Sequence, residues 1–347
     1  MDLFLHITEI LLTLIAIVFT CVIFTNAIEH LGEKLNLSQG AIGSVLAAVG
    51  TALPETIVPL VAIISASLSG ECCVGNQIGI GAILGAPFML GTLAFFVTGL
   101  SVLIFAASKR RTLHMTVNTS LMFRDMRYFF IGYAFAIAGS FLPFHWMKVV
   151  LAVFLVLFYG FYAYKTIQDT TCCNGDCDEL GSLYLSRFFG TKHELAQTYL
   201  QVILSLLGII IFAKIFVGQL EFFSNLFGLN PMILSLIIAP IATELPEKFN
   251  SVIWIRAKKD TLALGNITGA MVFQSCIPTA VGLILTPWIL SVEGLVNVAL
   301  VYVAVAVVYF NILKNKGILS PYSLLAGGGF YLLYLIYALF KIKGIAV

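Results

Sequence analysis

The stretch Thr51-Ala52-Leu53-Pro54-Glu55 recurs as Thr243-Glu244-Leu245-Pro246-Glu247, and both copies lie inside long apolar segments. A carboxylate is costly to hold in hydrocarbon, and a proline in a membrane helix removes a backbone hydrogen bond. One such combination could arise by chance, but two of them indicate a duplicated membrane protein. The pattern also predicts an ion site between the two halves, because duplicated transporters place their shared site there.

The composition of the chain supports the membrane class. Hydrophobic residues make up 60% of the 347 residues, charged residues only 10%, and the mean hydropathy is +1.02. Soluble domains are far more polar, so we expect an all-α, polytopic protein in a lipid bilayer. A membrane helix needs about 20 apolar residues, and we predict ten such spans. They are 3–28, 37–67, 74–107, 128–143, 147–164, 199–223, 231–254, 261–285, 287–312 and 320–341.

Basic residues predict the orientation of these spans. With ten spans, 14 of the 19 Lys and Arg residues fall on one side of the membrane. The positive-inside rule makes that side cytoplasmic and places both termini outside. The 14 residues are Lys34, Lys109, Arg110, Arg111, Arg124, Arg127, Lys165, Arg187, Lys192, Arg256, Lys258, Lys259, Lys314 and Lys316. They mark the cytoplasmic side, and the net charge of +2 does not indicate binding to nucleic acid.

The duplication extends beyond the pentapeptide. Residues 26–55 align with residues 218–247 without a gap, and Gly75-Asn76 in the next span matches Gly265-Asn266. Each half then holds five spans, and because five is odd the second half must insert with the opposite orientation. The predicted parts are a first repeat at 1–165, a cytoplasmic linker at 166–198 and a second, inverted repeat at 199–347.

Each pentapeptide supplies oxygen ligands for a cation. Thr51 and Glu55, like Thr243 and Glu247, are four residues apart, a spacing that places hydroxyl and carboxylate on one helical face. The proline of each motif also releases the carbonyl four residues earlier. These oxygens suit Na⁺ or Ca²⁺ rather than soft metals, and a dehydrated Glu can also exchange a proton for a cation. The alternative is a simple helix kink, which two mirrored copies disfavour.

The span after each motif begins with Gly-Asn and is rich in small residues, which permit close helix packing. We expect packing to be the main role of these glycines. Polar residues at the same depth are harder to explain by packing, and Gln274 is the best additional ligand among them.

The cysteines divide by predicted location. Cys21 and Cys276 lie in spans and are expected to be packing residues. Cys172, Cys173 and Cys177 lie in the linker, where three thiols could hold a soft metal. A reduced, solvated loop is favoured instead, because no fourth ligand follows at a recognised spacing.

Paired Leu-Pro-Glu helices, each followed by a Gly-Asn helix in a five-plus-five inverted arrangement, resemble the calcium/cation antiporter superfamily. That superfamily includes the sodium/calcium and cation/proton exchangers. The resemblance covers roughly 26–97 and 218–285. It implies that Glu55 and Glu247 bind the transported ions and that Thr51 and Thr243 are the motif threonines.

The sequence departs from the family pattern at several ligand positions. The motif serine is Ala52 in the first repeat and Glu244 in the second. The polar residue of the following helix falls on Leu84 and Gln274. Lys248 lies four residues after Glu244, a spacing that allows an ion pair, and it could replace one cation permanently. The three glutamates and the lysine together carry about −2, enough to balance one divalent ion. A full set of three Na⁺ sites beside one Ca²⁺ site is therefore not expected.

We predict a secondary antiporter that exchanges Ca²⁺ for Na⁺ by alternating access of a midplane site, without enzymatic activity or a cofactor. Two functions stay open beside it: a cation/proton exchanger, and a degenerate, non-transporting scaffold or sensor. An intramembrane enzyme is disfavoured, because the chain has no His-Glu-x-x-His pattern and no nucleophile paired with its acids. The expected partners are the bilayer and small inorganic cations. The predicted metal ligands are Glu55, Glu247, Thr51, Thr243, Glu244 and Gln274.

Overall fold

The computed structural model describes residues 2–34, 52–70, 72–170, 182–186, 194–315 and 318–342. Within these ranges the chain is helical, apart from turns and one two-stranded ribbon. Thr51 and the three linker cysteines lie outside the described residues, as does the side chain of Glu247.

Each predicted span overlaps a described helix, although residues 141–143 and 287–291 of the predicted spans are not helical. The α-helices are α1 (Asp2–Lys34), α2 (Pro54–Ser69), α3 (Cys72–Met89), α4 (Phe95–Ala107), α5 (Thr119–Ser140), α6 (His145–Thr170), α7 (Glu194–Phe227), α8 (Pro231–Thr243), α9 (Leu245–Arg256), α10 (Asp260–Leu285), α11 (Val292–Lys314) and α12 (Pro321–Ile342). A π-helical turn, Leu90–Ala94, joins α3 to α4. The ribbon pairs β1 (Met115–Thr116) with β2 (Ile318–Leu319) in antiparallel register.

In the described part of the chain, seven helices are long and apolar enough to cross a membrane. They are α1, the rod formed by α3 and α4, α6, α7, α10, α11 and α12. α2 and α8 are shorter apolar helices beside the two prolines of the motifs. α5 has 22 residues but carries Arg124, Asp125 and Arg127 in its first half. The all-helical membrane class is confirmed, and the ten spans in two inverted repeats stay a prediction.

α1 and α7 pack along each other in opposite directions. His6 near the start of α1 places Nδ1 2.8 Å from Gln219 Oε1 near the end of α7. At the other end of the pair, Gln201 Nε2 donates to Asn26 Oδ1 at 3.0 Å. Because α1 and α7 are the first helices of the two predicted repeats, an inverted duplication requires this antiparallel pairing.

Small residues let α3 pack closely against two neighbouring helices. A Cβ atom added at Gly75 would lie 2.0 Å from the Ala66 Cβ of α2. One added at Gly85 would lie 2.3 Å from the Leu236 carbonyl oxygen of α8. Backbones approach this closely only where glycine is present, which is the packing role expected for these residues.

α10 lies in the middle of the bundle and packs against α2, α3, α5, α6 and α9. The larger hydrophobic core surrounds α10, and a smaller core lies between the α1–α7 pair and helices α2, α3 and α8. Ala52 of the first motif belongs to the larger core and Ile57, two residues after that motif, to the smaller one. α8, the helix that leads to the second motif, contributes Leu236 to the larger core and Ala239 to the smaller one. The first motif and helix α8 therefore lie where the cores meet.

A buried ion pair joins the ends of several helices on the side predicted to be cytoplasmic. Arg111 donates through Nη1 and Nη2 to the two carboxylate oxygens of Asp260, at 2.8 and 2.9 Å. Arg111 also donates to the Ile255 carbonyl oxygen at 2.9 Å. The backbone N–H of Thr116 donates to Asp260 Oδ2 at 3.1 Å. The bidentate pair thus holds α9, α10 and the β1–β2 ribbon together.

Candidate cation site

The first Leu-Pro-Glu motif forms the start of α2. Pro54 takes the first helical position, where its missing N–H is not needed. The Leu53 carbonyl oxygen accepts from the N–H groups of Thr56 and Ile57 at 2.9 and 3.0 Å. Glu55 therefore lies in the first turn, near the positive end of the helix dipole, and is only 3% exposed.

The second motif interrupts a membrane helix. α8 ends at Thr243, α9 begins at Leu245, and Glu244 between them has φ −96° and ψ 4°. Pro246 has no N–H to donate to the carbonyl four residues earlier, so a regular helix cannot continue through the motif. Thr243 and Glu247 therefore belong to different helices, and because the Glu247 side chain lies outside the described residues, their shared face stays a prediction.

Glu244 and Lys248 form an ion pair inside the protein, as their spacing predicted. Lys248 Nζ lies 3.2 Å from Glu244 Oε2. Glu244 is 0% exposed and Lys248 is 7% exposed. Because Glu244 is fully buried, this acid faces packed helices rather than lipid. The carboxylate added to the second motif is thus already in contact with a positive charge.

Gln274 is the polar side chain of α10 that the sequence singled out. It is 0% exposed, and neither amide atom has a hydrogen-bond partner among the residues that the structure describes. Burying an amide in this state costs about 1–3 kcal/mol. Its oxygen has the chemistry of a hard-cation ligand. That role stays a prediction.

Thr243 is a predicted ligand whose side chain is described. It is 3% exposed, and its hydroxyl lies 3.5 Å from the Ala239 carbonyl oxygen of its own helix. That contact is at the limit of a hydrogen bond, so the hydroxyl is held only weakly by α8.

Helix packing brings the elements that carry these ligands into one group. α10, which holds Gln274, packs against α2 and against α9. Ser251 of α9 also donates to the Ala263 carbonyl oxygen of α10 at 3.2 Å. α2 in turn packs on α3, and α3 packs on α8. The helices of Glu55, Gln274 and Glu244 are therefore contiguous.

The structure also contains buried polar residues that the sequence did not single out. Asp125 of α5 is 2% exposed and accepts hydrogen bonds from Tyr162 at 2.9 Å and from Thr268 at 2.8 Å. The three side chains belong to α5, α6 and α10, so no local pattern could have predicted their contact. Asn297 of α11 is 0% exposed, and its amide atoms have no hydrogen-bond partner within the described ranges.

The family model for the sodium/calcium exchanger protein matches residues 6–168 and 198–343, which is most of the chain. The chain belongs to this family. The resemblance inferred from the paired motifs is confirmed, and the activity class of the exchanger is cation antiport across a membrane. The family is a transporter family rather than an enzyme family.

Individual relatives of the exchanger agree with this assignment. CaxA of Alkalimonas amylolytica, a protein named as an antiporter, is 23% identical over 287 residues, which is 81% of each chain. The structure of an H⁺/Ca²⁺ exchanger, CAX, aligns with a TM-score of 0.75 and 17% identity, covering 98% of this chain and 84% of the other. The sodium-calcium exchanger NCX_Mj aligns with a TM-score of 0.59 and 19% identity, covering 96% and 98%. At these identities the structural likeness shows the fold alone.

Proposed function

We propose that the exchanger moves Ca²⁺ across the membrane in exchange for Na⁺, at a midplane site whose carboxylates are Glu55 and Glu247. The observation that carries this proposal is the position of Glu55, which is 3% exposed in the first turn of a helix within a membrane bundle. Ionisable side chains this deep in membrane proteins mark ion pathways. In a cation exchanger, a buried carboxylate at the junction of two cores is a natural ligand for the transported ion.

The break in the second motif supplies further ligands for a cation. The C-terminal end of α8 presents carbonyl groups and the negative end of its helix dipole at this break. Ca²⁺ takes about six to eight oxygen ligands, which two carboxylates alone cannot provide. Thr51, Thr243 and Gln274, with backbone carbonyls, would complete the set around Glu55 and Glu247.

The two cores give the site a way to open on either side of the membrane. The first motif and α8, the helix that leads to the second motif, lie where the larger and the smaller core meet. A movement of one group of helices against the other would therefore expose the same carboxylates first to one solution and then to the other. Ca²⁺ and the counter-ion would occupy the carboxylates in turn, so that the gradient of one drives the other.

H⁺ is the second candidate for the counter-ion. Ala52 and Leu84 carry no side-chain oxygen at two positions where the family pattern has one. The carboxylate of Glu244 is in contact with Lys248, which reduces its capacity for Na⁺. Fewer oxygen ligands lower the number of Na⁺ ions that the site can hold, whereas a carboxylate binds a proton without further ligands.

Uptake of radioactive Ca²⁺ into proteoliposomes tests the activity and the counter-ion together. The purified exchanger would be driven in turn by an outward Na⁺ gradient and by an outward H⁺ gradient, with ionophores that collapse each gradient as controls. We expect uptake that follows the Na⁺ gradient. Uptake with the H⁺ gradient alone would favour the second candidate. No uptake with either gradient, from protein that is folded, would contradict Ca²⁺ antiport.

A further inference from the structure

Near its motif, the second repeat has a buried positive charge at a position where the first repeat has a neutral residue. In the alignment of the repeats, Glu244 and Lys248 occupy the positions of Ala52 and Thr56. All four positions are buried, with exposures of 0%, 7%, 0% and 8% in that order. The acid and the base are thus present together, in contact, at two positions that are neutral in the other half.

We infer that the ammonium group of Lys248 is a tethered cation, which takes the place of one mobile monovalent cation beside Glu244. The inference rests on the proposed function, because it assigns the Glu244–Lys248 pair to the cation site of the exchanger. It deepens that function by naming a residue that sets how many counter-ions are bound.

The position of the pair supports this role. Glu244 is the residue at which the membrane helix is broken, and Lys248 follows it within the first turns of α9, directly after Glu247. The Nζ–Oε2 distance of 3.2 Å is that of a direct ion pair. The ammonium group therefore occupies the position beside Glu244 where a bound monovalent cation would otherwise balance that carboxylate.

Lys248 reduces the net negative charge that bound cations must balance in the proposed site. Glu55 and Glu247 together carry two negative charges, which one Ca²⁺ can balance. The third negative charge, on Glu244, is balanced by Lys248 whether the site is empty or occupied. The exchanger would therefore bind one monovalent cation fewer than the same three carboxylates would bind without the lysine.

A purely structural salt bridge makes a different prediction. If the pair only stabilises α9, then Lys248→Met lowers stability by the same amount at every Na⁺ concentration. If Lys248 replaces a cation, its removal leaves a buried carboxylate that a Na⁺ ion from solution can balance. The loss of stability would then shrink as Na⁺ is raised.

The test is the Na⁺ dependence of thermal unfolding of the purified protein, with choline keeping the ionic strength constant. The slope of stability against the logarithm of Na⁺ concentration reports how many Na⁺ ions bind the folded state. Relative to the wild type, we expect Lys248→Met to bind about one more Na⁺ ion. Lys248→Arg keeps the charge, and the double variant Glu244→Gln with Lys248→Met removes both charges. Both are therefore expected to keep the wild-type slope.

Two results would overturn the inference. One is a wild-type slope in Lys248→Met, and the other is a double variant that binds about one Na⁺ ion fewer than the wild type. If Lys248→Met does not fold, Lys248→Thr takes its place, because threonine is the residue at the matching position of the first repeat. It is expected to bind about one more Na⁺ ion than the wild type, and a wild-type slope in Lys248→Thr would overturn the inference. Wild-type Ca²⁺ uptake with an unchanged slope in Lys248→Met would refute the inference and leave the proposed function standing. A steeper Na⁺ slope in Lys248→Met, together with no Ca²⁺ uptake by the folded wild type, would refute the proposed function instead.

Discussion

At residue scale, Gln274 is buried with an amide that has no hydrogen-bond partner among the described residues, which is a rare state for a polar group. Gln274→Met replaces the amide by an apolar side chain of similar size. We expect the cation-free protein to gain about 1–3 kcal/mol of stability, because a desolvated amide is removed. We also expect Ca²⁺ to bind about tenfold more weakly, because one oxygen ligand is lost. Thermal unfolding measured without and with Ca²⁺ gives both quantities.

Gln219→Met is the matched control for that substitution. Gln219 is also buried, but its amide bonds both His6 and Glu9, at 2.8 Å each. Its replacement should therefore lower stability and leave Ca²⁺ affinity unchanged. If Gln274→Met behaves like this control, then Gln274 is a structural residue and no ligand.

The Arg111–Asp260 pair makes a second prediction at residue scale. Its two side chains are 2% and 5% exposed, so removal of one charge strands the other in the protein interior. We expect Asp260→Asn to lower the free energy of unfolding by about 3–5 kcal/mol. Arg110→Gln, at the exposed neighbouring arginine, should have almost no effect. Equal melting temperatures for the two variants would show that the buried pair does not stabilise the bundle.

At the scale of elements, the close contact between α3 and α8 depends on Gly85, because glycine has no side chain. A Cβ at residue 85 would meet the Leu236 carbonyl oxygen at 2.3 Å and the Pro240 Cγ at 2.8 Å. We expect Gly85→Ala to force the helices apart and to cost about 1–3 kcal/mol of stability. Gly160→Ala is the control, because nothing lies within 4 Å of its added Cβ. Equal thermal stability of the two variants would contradict the close packing.

The second motif shows how far a local pattern predicts an element. The sequence predicted a disrupted helix, since Pro246 cannot donate a backbone hydrogen bond. It also predicted the Glu244–Lys248 contact, which survives because both residues lie in one turn at the start of α9. The shared face of Thr243 and Glu247 stays a prediction, because a spacing of four residues places side chains together with certainty only in an unbroken helix, and α8 ends at Thr243.

At the scale of the whole molecule, composition is sufficient for the membrane class, because only helices or closed barrels satisfy their backbone hydrogen bonds in lipid. The paired motifs were sufficient for the family. Contacts between distant segments were not predictable in this way. The hydrogen bonds of Asp125 join three helices, and nothing local in the sequence distinguishes this acid from one in a loop.

The orientation of the whole molecule is a separate prediction. Cys73 is exposed at the start of α3, which basic residues place outside, and Lys314 is exposed at a predicted cytoplasmic end. In a variant whose other accessible cysteines are replaced by Ser, a membrane-impermeant maleimide should label Cys73 in intact cells. A matched variant with Cys73→Ser and Lys314→Cys should be labelled only after the cells are opened. The reverse result would invert the predicted topology.

The most direct test of the account is Ca²⁺ uptake by proteoliposomes that contain Glu55→Gln, Glu247→Gln or Glu293→Gln. The first two substitutions remove the carboxylates assigned to the cation, one in each repeat. Glu293→Gln removes an acid at the start of α11, 3.8 Å from Lys341, and serves as the control. We predict that both motif variants fold but lose uptake, while the control keeps it. Wild-type uptake by folded Glu55→Gln or Glu247→Gln would contradict a shared site between the repeats.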